Sequence, residues 1–395
     1  MTGPVAWDRL PDGWEAVQIR RVASIGNGSD YKDVEVADGG YPVYGSGGEF
    51  RRASAYLYDG ESVLFGRKGT IDRPLHVRGK FWTVDTMFYT ELTPRVHGRF
   101  LYYYATTMPF SYYSTSTALP SMTQGDLAGH TMPLPPMAEQ QAIADFLDEQ
   151  TSRIDTLIDK QTQLITTLRE RRSVTVEAEI PAGPLAPLRS KASLIQTGPF
   201  GSQISAGSYV DGGTPVINPS HIGPRGITPD AAVSVDEALA RELSRHALQP
   251  GDVVLARRGE LGRCAVVTAT EAGYICGTGS LMVRLRPDAA DPDFIQLVIA
   301  SGRARHYLES TSVGSTMNNL NASIIGDLRV PALSLAEQKS LVAKVRESTS
   351  RIDLVIRKAE QHIVLAKERR SALITAAVTG QIDVRTAGRA SQEVA

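Results

Sequence analysis

Two stretches of this chain carry apolar residues at helical spacing with no Pro or Gly to interrupt them. The segments around them are rich in Gly, Pro, Ser, Thr and aromatics, with short β-branched runs bounded by turn residues. In the first helical stretch Ile143, Leu147, Ile154, Leu157, Ile165 and Leu168 share a face; in the second, Leu341, Val345, Ile352, Val355, Ile363 and Ala366 do. The three-or-four spacing predicts a narrow seam of the coiled-coil kind, so each helix needs a partner. Pro133, Pro135 and Pro136 lead into the first helix and Pro331 into the second, while Pro181 and Pro184 lie beyond the end of the first. About 38 helical residues in each predict a rod of roughly 57 Å.

The two stretches are copies of one another. Ala138 to Ser173 aligns without gaps on Ala336 to Ser371 at a constant offset of 198, with 17 of 36 pairs identical, including AEQ at the start, TSRID in the middle and ERRS at the end. The globular segments repeat more faintly. SVLFGRKG from Ser62 parallels DVVLARRG from Asp252, YPVYGSGG from Tyr41 parallels TPVINPSH from Thr214, and STSTALPSM from Ser114 parallels STSVGSTM from Ser310. The chain therefore reads as one unit of globular domain plus long helix, used twice. The expected fold class is α+β: two strand-rich mixed domains separated by two long antiparallel coiled-coil helices, related as a pseudo-two-fold tandem duplication. Expected boundaries are 1–135 and 182–332 for the globular domains, 136–181 and 333–382 for the helical regions, and 383–395 for a tail. Helices that stay alike imply the same partner met twice, and globular domains that drift apart imply two different targets.

Charge adds a pairing hint. Residues 136–181 hold 5 basic and 9 acidic side chains, a net of −4, and residues 333–382 hold 9 and 5, a net of +4. Over the whole chain, 42 basic and 43 acidic residues nearly cancel, which argues against a free-standing phosphate binder and leaves either no nucleic-acid role or one within an assembly. No apolar run approaches the roughly 20 residues that cross a bilayer. Met1 to Leu10 has neither a basic start nor an apolar core, so no secretory signal and a cytoplasmic location are expected. Cys264 and Cys276 are the only cysteines, without CxxC or Cys/His spacing, and read as small core residues rather than a disulfide or zinc site.

Catalytic motifs are absent. The paired prolines in LPPM lack the Asn or Asp before and the aromatic after that an adenine methyltransferase uses, and Gly79-Lys80 is followed by Phe81 rather than Ser or Thr. The glycines at 45, 47 and 48 open no helical pattern, and His76, His97 and His221 show no metal spacing.

These residues resemble the specificity subunits of Type I restriction-modification systems, from about Trp14 to Asp383. The resemblance lies in YPVYGSGGEF, LYDGESVLFGRKGTIDRP and FWTVDTMFY in the first domain, and in TGPFGSQI, GGTPVINPSHI and LQPGDVVLARRGELGR in the second. It continues in LAEQ, SRID and ERRSALITAAVTGQIDV; the first helix departs from the pattern, ending in SVTVEAEI without a VTGQID closing. The resemblance implies a non-catalytic subunit whose two target-recognition domains each read half of a bipartite double-stranded DNA site. It also implies that the helices act as a spacer docking two adenine-N6 methyltransferase subunits, with two restriction subunits joining afterwards. S-adenosylmethionine, ATP and Mg would then belong to the partners, and no cofactor to this chain.

The candidate DNA-contacting residues are Arg67 and Lys68, Arg257, Arg258 and Arg263, with Ser46, Asn318 and Asn319 as polar readers. A strand running into two basic residues and a glycine suits guanine edges or phosphates, although a solvated surface turn has the same look. Arg153, Asp155, Arg351 and Asp353 are the candidate partner-docking residues, with pairing inside the rod as the alternative. Two other readings remain: the equivalent subunit of a related methyltransferase-nuclease fusion system, and a coiled-coil adhesion or scaffold protein.

Overall fold

The computed structural model describes residues 10–113, 120–201, 203–223, 226–312 and 320–385. Contacts divide the chain into two units: one runs to Thr162 and resumes at Glu360, and the other is Gln163–Ala359. Both divisions fall inside long helices.

The first unit holds β1 (Glu15–Gln18), β2 (Ala23–Asn27), β3 (Glu35–Val36), β4 (Tyr41–Gly45), β5 (Gly48–Ala53), β6 (Tyr58–Gly66), β7 (Leu75–Thr83) and β8 (Met87–Leu92). Helices α1 (Gly98–Ala105), α2 (Phe110–Tyr113) and α3 (Gln124–Gly129) follow, then β9 (Thr131–Leu134) and the start of α4 (Met137–Glu179). Seven strands form one sheet in the order β2-β8-β6-β7-β4-β5-β3, and β1 pairs with β9 beside it. The apolar end of β6, Ser62 to Gly66, is wholly buried, as a continuous apolar run in a central strand should be.

The second unit repeats the plan with β10 (Leu185–Pro187), β11 (Ala192–Thr197), β12 (Thr214–Ile217), β13 (Ile222–Gly223), β14 (Gly226–Ile227) and β15 (Ser234–Val235). After α5 (Glu237–Glu242) come β16 (Val253–Ala256), β17 (Cys264–Val266), β18 (Ile275–Cys276) and β19 (Ser280–Leu285). Helices α6 (Pro292–Ile299), α7 (Gly302–Ser312) and α8 (Ala322–Asp327), then β20 (Arg329–Pro331) and α9 (Leu335–Val378), complete it. The antiparallel series β2-β8-β6 has its counterpart in β11-β19-β16, and β1-β9 in β10-β20. The faint YPVYGSGG and TPVINPSH match marks a real equivalence: β4 runs parallel to β7 and β12 parallel to β18.

The helices are longer than the expected 38 residues, 43 in α4 and 44 in α9. In the first unit, Ile143 and Leu147 from α4 share a buried cluster with Phe65, Phe100 and Leu101 and with Ile374, Ala377 and Val378 from α9. In the second, Val176 and Ile180 near the end of α4 pack with Val345 near the start of α9, whose Val342 enters the domain core. The expected stripe needs one correction: Leu157 and its counterpart Val355 are 46% and 41% exposed, so they leave the buried seam. A straight helix drifts away from a 3.5-residue repeat, which carries such positions off the face.

Each helix is clasped to its own domain by the Gln of AEQ. Gln140 Oε1 accepts from the His97 amide at 2.8 Å, and its Nε2 donates to the carbonyls of Arg95 and Pro135. Gln338 makes the same three bonds with Asp291, Ala289 and Leu333. Both side chains are buried, so the amide satisfies main-chain groups that water cannot reach. The VTGQID closing of α9 is a Schellman turn: Gly380 at φ +72° donates to the Ala377 carbonyl and Gln381 to that of Ala376. A Cβ at Gly380 would lie 2.4 Å from Pro11, so this glycine also permits close packing on the first strand's approach. The first helix ends instead at Glu179, and the chain passes through Ile180 and Pro181 into β10.

Candidate nucleic-acid interface

Two strand-to-glycine tips, one per unit, are built the same way. In the first, Val63, Leu64 and Phe65 are fully buried, and Gly66 backs onto the Thr70 carbonyl so closely that a Cβ would sit 2.2 Å from it. The Arg67 amide donates to the Thr86 carbonyl at 2.8 Å, and the Arg67 carbonyl accepts from Met122 at 3.0 Å. In the second, the Arg257 amide donates to Gly279 at 2.9 Å and its carbonyl accepts from Leu320 at 3.0 Å. Thr86 and Gly279 each immediately precede the equivalent strands β8 and β19, and Met122 and Leu320 lie 198 apart. Gly69 (φ +81°) and Gly259 (φ +78°) turn the chain back after the basic pair. The main chain of each tip is thus pinned on two sides, so its side chains leave from a fixed base.

The side chains differ. Arg67 is exposed; its Nη1 lies 3.4 Å from the Asp85 carbonyl and its guanidinium 5.9 Å from the Phe88 ring. Lys68 beside it is exposed. Arg257 is drawn inward: Nε donates to the Leu320 carbonyl at 2.7 Å and Nη1 to that of Thr278 at 3.3 Å. Burial first, and the adjacent Arg258 charge second, lower its pKa from the ordinary guanidinium value. Arg258 is exposed and is the side chain that projects from this tip. Arg263 is half-buried, with a buried Nε that finds no hydrogen-bond partner among the described residues. Ser46 occupies the two-residue turn of the β4–β5 hairpin, next to Gly48 at φ +107°. Asn318 and Asn319 lie outside the described residues, as do most of the STSTALPSM and STSVGSTM segments.

Two exposed basic residues escape a reading of the sequence. Arg305 and His306 on α7 line a shallow surface depression with Gly259, Glu260 and Leu261, just beyond the second tip. Nothing in their local pattern marks them, since only the packing of α7 against the loop around Gly262 brings them there.

Of the four docking candidates, three are engaged. Arg153 pairs along its own helix with Glu149 at 2.5 Å. Asp155 lies 3.0 Å from Arg370 of α9, a charge contact without an aligned hydrogen bond, and Asp353 accepts from Arg172 of α4 at 2.7 Å. The offset of 198 relates these two pairs, so SRID and ERRS meet reciprocally across the helices. Arg351 is exposed. Among the described residues no helix is long and apolar enough to cross a membrane, and no group of three His, Cys, Asp or Glu is placed to hold a metal.

Residues 11–167 match a family described as Type I restriction modification DNA specificity domain. The chain is 25% identical over 201 residues to the Type I restriction enzyme StySPI specificity subunit of Salmonella potsdam, covering 50% of this chain and 42% of that protein. It is 24% identical over 202 residues to the Type I restriction enzyme EcoKI specificity subunit of Escherichia coli K12, covering 50% and 43%. These matches span less than half the length of the curated relatives. A solved chain described as the structural basis of complex assembly and conformational transition of the type I R-M system superposes with a TM-score of 0.62 at 16% identity, covering 95% of this chain and all of that one. That likeness shows the fold. The chain resembles the specificity subunits of Type I restriction-modification systems, and its residues 11–167 carry the match to their DNA specificity domain.

Proposed function

We propose that this chain is the specificity subunit of a Type I restriction-modification complex, a protein that selects DNA sites and leaves chemistry to its partners. The observation that carries this reading is the pair of pinned basic tips, constructed alike in two diverged domains. A rigid strand-to-glycine base holds a cation at a fixed reach, which base-edge recognition needs, and two different domains suit the two halves of a bipartite site. In this reading α4 and α9 form an antiparallel coiled-coil spacer between target-recognition domains 1–135 and 182–332. Each unit supports that by placing the start of one helix beside the end of the other. The same helices dock two adenine-N6 methyltransferase subunits carrying S-adenosylmethionine, and two restriction subunits using ATP and Mg follow, in the cytoplasm. Near-neutral net charge fits a reader whose partners share the phosphate contacts.

The test is methylation mapping with the chain and its methyltransferase, beside the chain alone. The expected result is methylation of adenines in two short half-sites separated by indifferent base pairs, and no turnover of S-adenosylmethionine or ATP by the chain alone. Sequence-indifferent methylation, or turnover without partners, overturns the proposal.

A further inference from the structure

The two copies of the helix-to-domain joint share the same three Gln hydrogen bonds and are opposite in the charge beside them. The Gln140 and Gln338 clasps fix the correspondence: they accept from His97 and Asp291, the residues that cap the N-termini of α1 and α6. Two residues on, Arg99 of α1 and Asp293 of α6 therefore occupy the same place. Each faces a long helix at positions 198 apart, Asp148 of α4 and Arg346 of α9. Arg99 pairs with Asp148, its Nε donating at 3.2 Å, and the Tyr103 hydroxyl adds a bond to the same carboxylate at 2.6 Å. In the second unit Arg346 pairs with Asp293 at 2.9 Å. The cation sits on the domain in one copy and on the helix in the other.

A second asymmetry lies between the helices. In the second unit Glu179 near the end of α4 pairs with Lys344 near the start of α9 at 2.7 Å. The counterparts at an offset of 198 are Ala377 and Phe146, which pack in the first unit's apolar core. By contrast, the Asp155–Arg370 and Asp353–Arg172 pairs have the same polarity in both units and cannot tell the copies apart.

We propose that the reversed ion pairs form a pairing code that assigns each globular domain to its own helix and rejects the other. The first turns of α4 take a domain whose helix presents a cation, and those of α9 take one that presents an anion. The wrong combination, as in a chain whose two globular segments are exchanged, sets Arg99 against Arg346 and Asp293 against Asp148. Partly exposed pairs add little stability when correctly matched, but like charges held at a fixed joint discriminate strongly between partners. The Gln140 and Gln338 clasps, being common to both copies, supply attachment without selectivity.

Thermal unfolding of the full-length chain tests this independently of DNA binding. Arg99→Asp and Asp293→Arg should each lower the Tm by about 2–4 °C, the shift that like charges facing one another give at about 1 kcal/mol in a unit of this size. The reciprocal doubles, Arg99→Asp with Asp148→Arg and Asp293→Arg with Arg346→Asp, should recover most of it. A full-length variant with segments 10–135 and 182–332 exchanged should be stabilised by Arg99→Asp plus Asp293→Arg, the same two changes that destabilise the native order. The code is overturned if the reciprocal doubles are no better than the singles, or if the two changes act alike in both orders. Should the exchanged chain not fold, the doubles in the native order decide.

Discussion

At the scale of single residues, the two basic tips separate roles that their sequences make look alike. Arg257 holds two main-chain carbonyls, so Arg257→Ala leaves part-buried acceptors unmatched and should cost about 1 kcal/mol of stability in the second unit. Arg258→Ala should leave stability unchanged and weaken DNA binding at one half-site only. Denaturant unfolding set beside half-site binding with the methyltransferase measures both, and a binding loss confined to Arg257→Ala without loss of stability refutes the assignment. In the first unit it is Arg67 and Lys68 that project. His130 is a second residue-scale case. It is buried, with Nε2 2.7 Å from the Tyr104 hydroxyl and Nδ1 2.5 Å from that of Tyr113, and burial pulls its pKa down to about 4. The folded chain then binds fewer protons than the unfolded one. The neutral ring's stabilisation is complete above the unfolded pKa near 6.5 and is lost as pH falls toward 4, up to about 3 kcal/mol. His130→Gln should flatten that slope in unfolding measured between about pH 7 and pH 5, and an unchanged slope places the titrating group elsewhere.

At the scale of elements, the helices and their motifs were legible because they repeat: the constant offset of 198 marks AEQ, SRID and ERRS within the sequence itself. What each motif does was not legible. AEQ supplies the clasp, and SRID and ERRS meet across the pair, because antiparallel packing brings Asp155 to Arg370 and Asp353 to Arg172. Reversing Asp155 and Asp353 to Arg should therefore lower stability by about 0.2–1 kcal/mol per pair, and adding Arg172→Asp and Arg370→Asp should restore it. If complex mass with the methyltransferase recovers along with stability, these aspartates serve the rod. If stability recovers while assembly stays lost, they touch the partner directly.

At the scale of the whole molecule, 43 or 44 residues at ~1.5 Å rise make helices of roughly 65 Å, longer than one duplex turn of about 34–36 Å. If they are the spacer between half-sites, inserting four residues near Gln161 and four near Ala359 should lengthen the indifferent segment by about 6 Å, close to two base pairs at ~3.4 Å each. Those positions lie where one compact unit gives way to the other, so neither domain core is disturbed. Methylation mapping of the insertion variant reads the spacing, and an unchanged gap rules the helices out as its ruler.

The sequence alone determined the repeated helical segment, the two helices, the strand-rich character of the rest and the strand-to-glycine tips, since periodicity, punctuation and repetition are local properties of a chain. Only tertiary structure decided that Arg257 turns inward while Arg258 projects, that Leu157 and Val355 leave the seam, and that Arg305 and His306 reach the second tip. It alone matched Arg99 with Asp148 and Asp293 with Arg346. A side chain's partners are set by which distant segments pack beside it, and a charge 49 or 53 residues away in sequence carries no mark of that meeting.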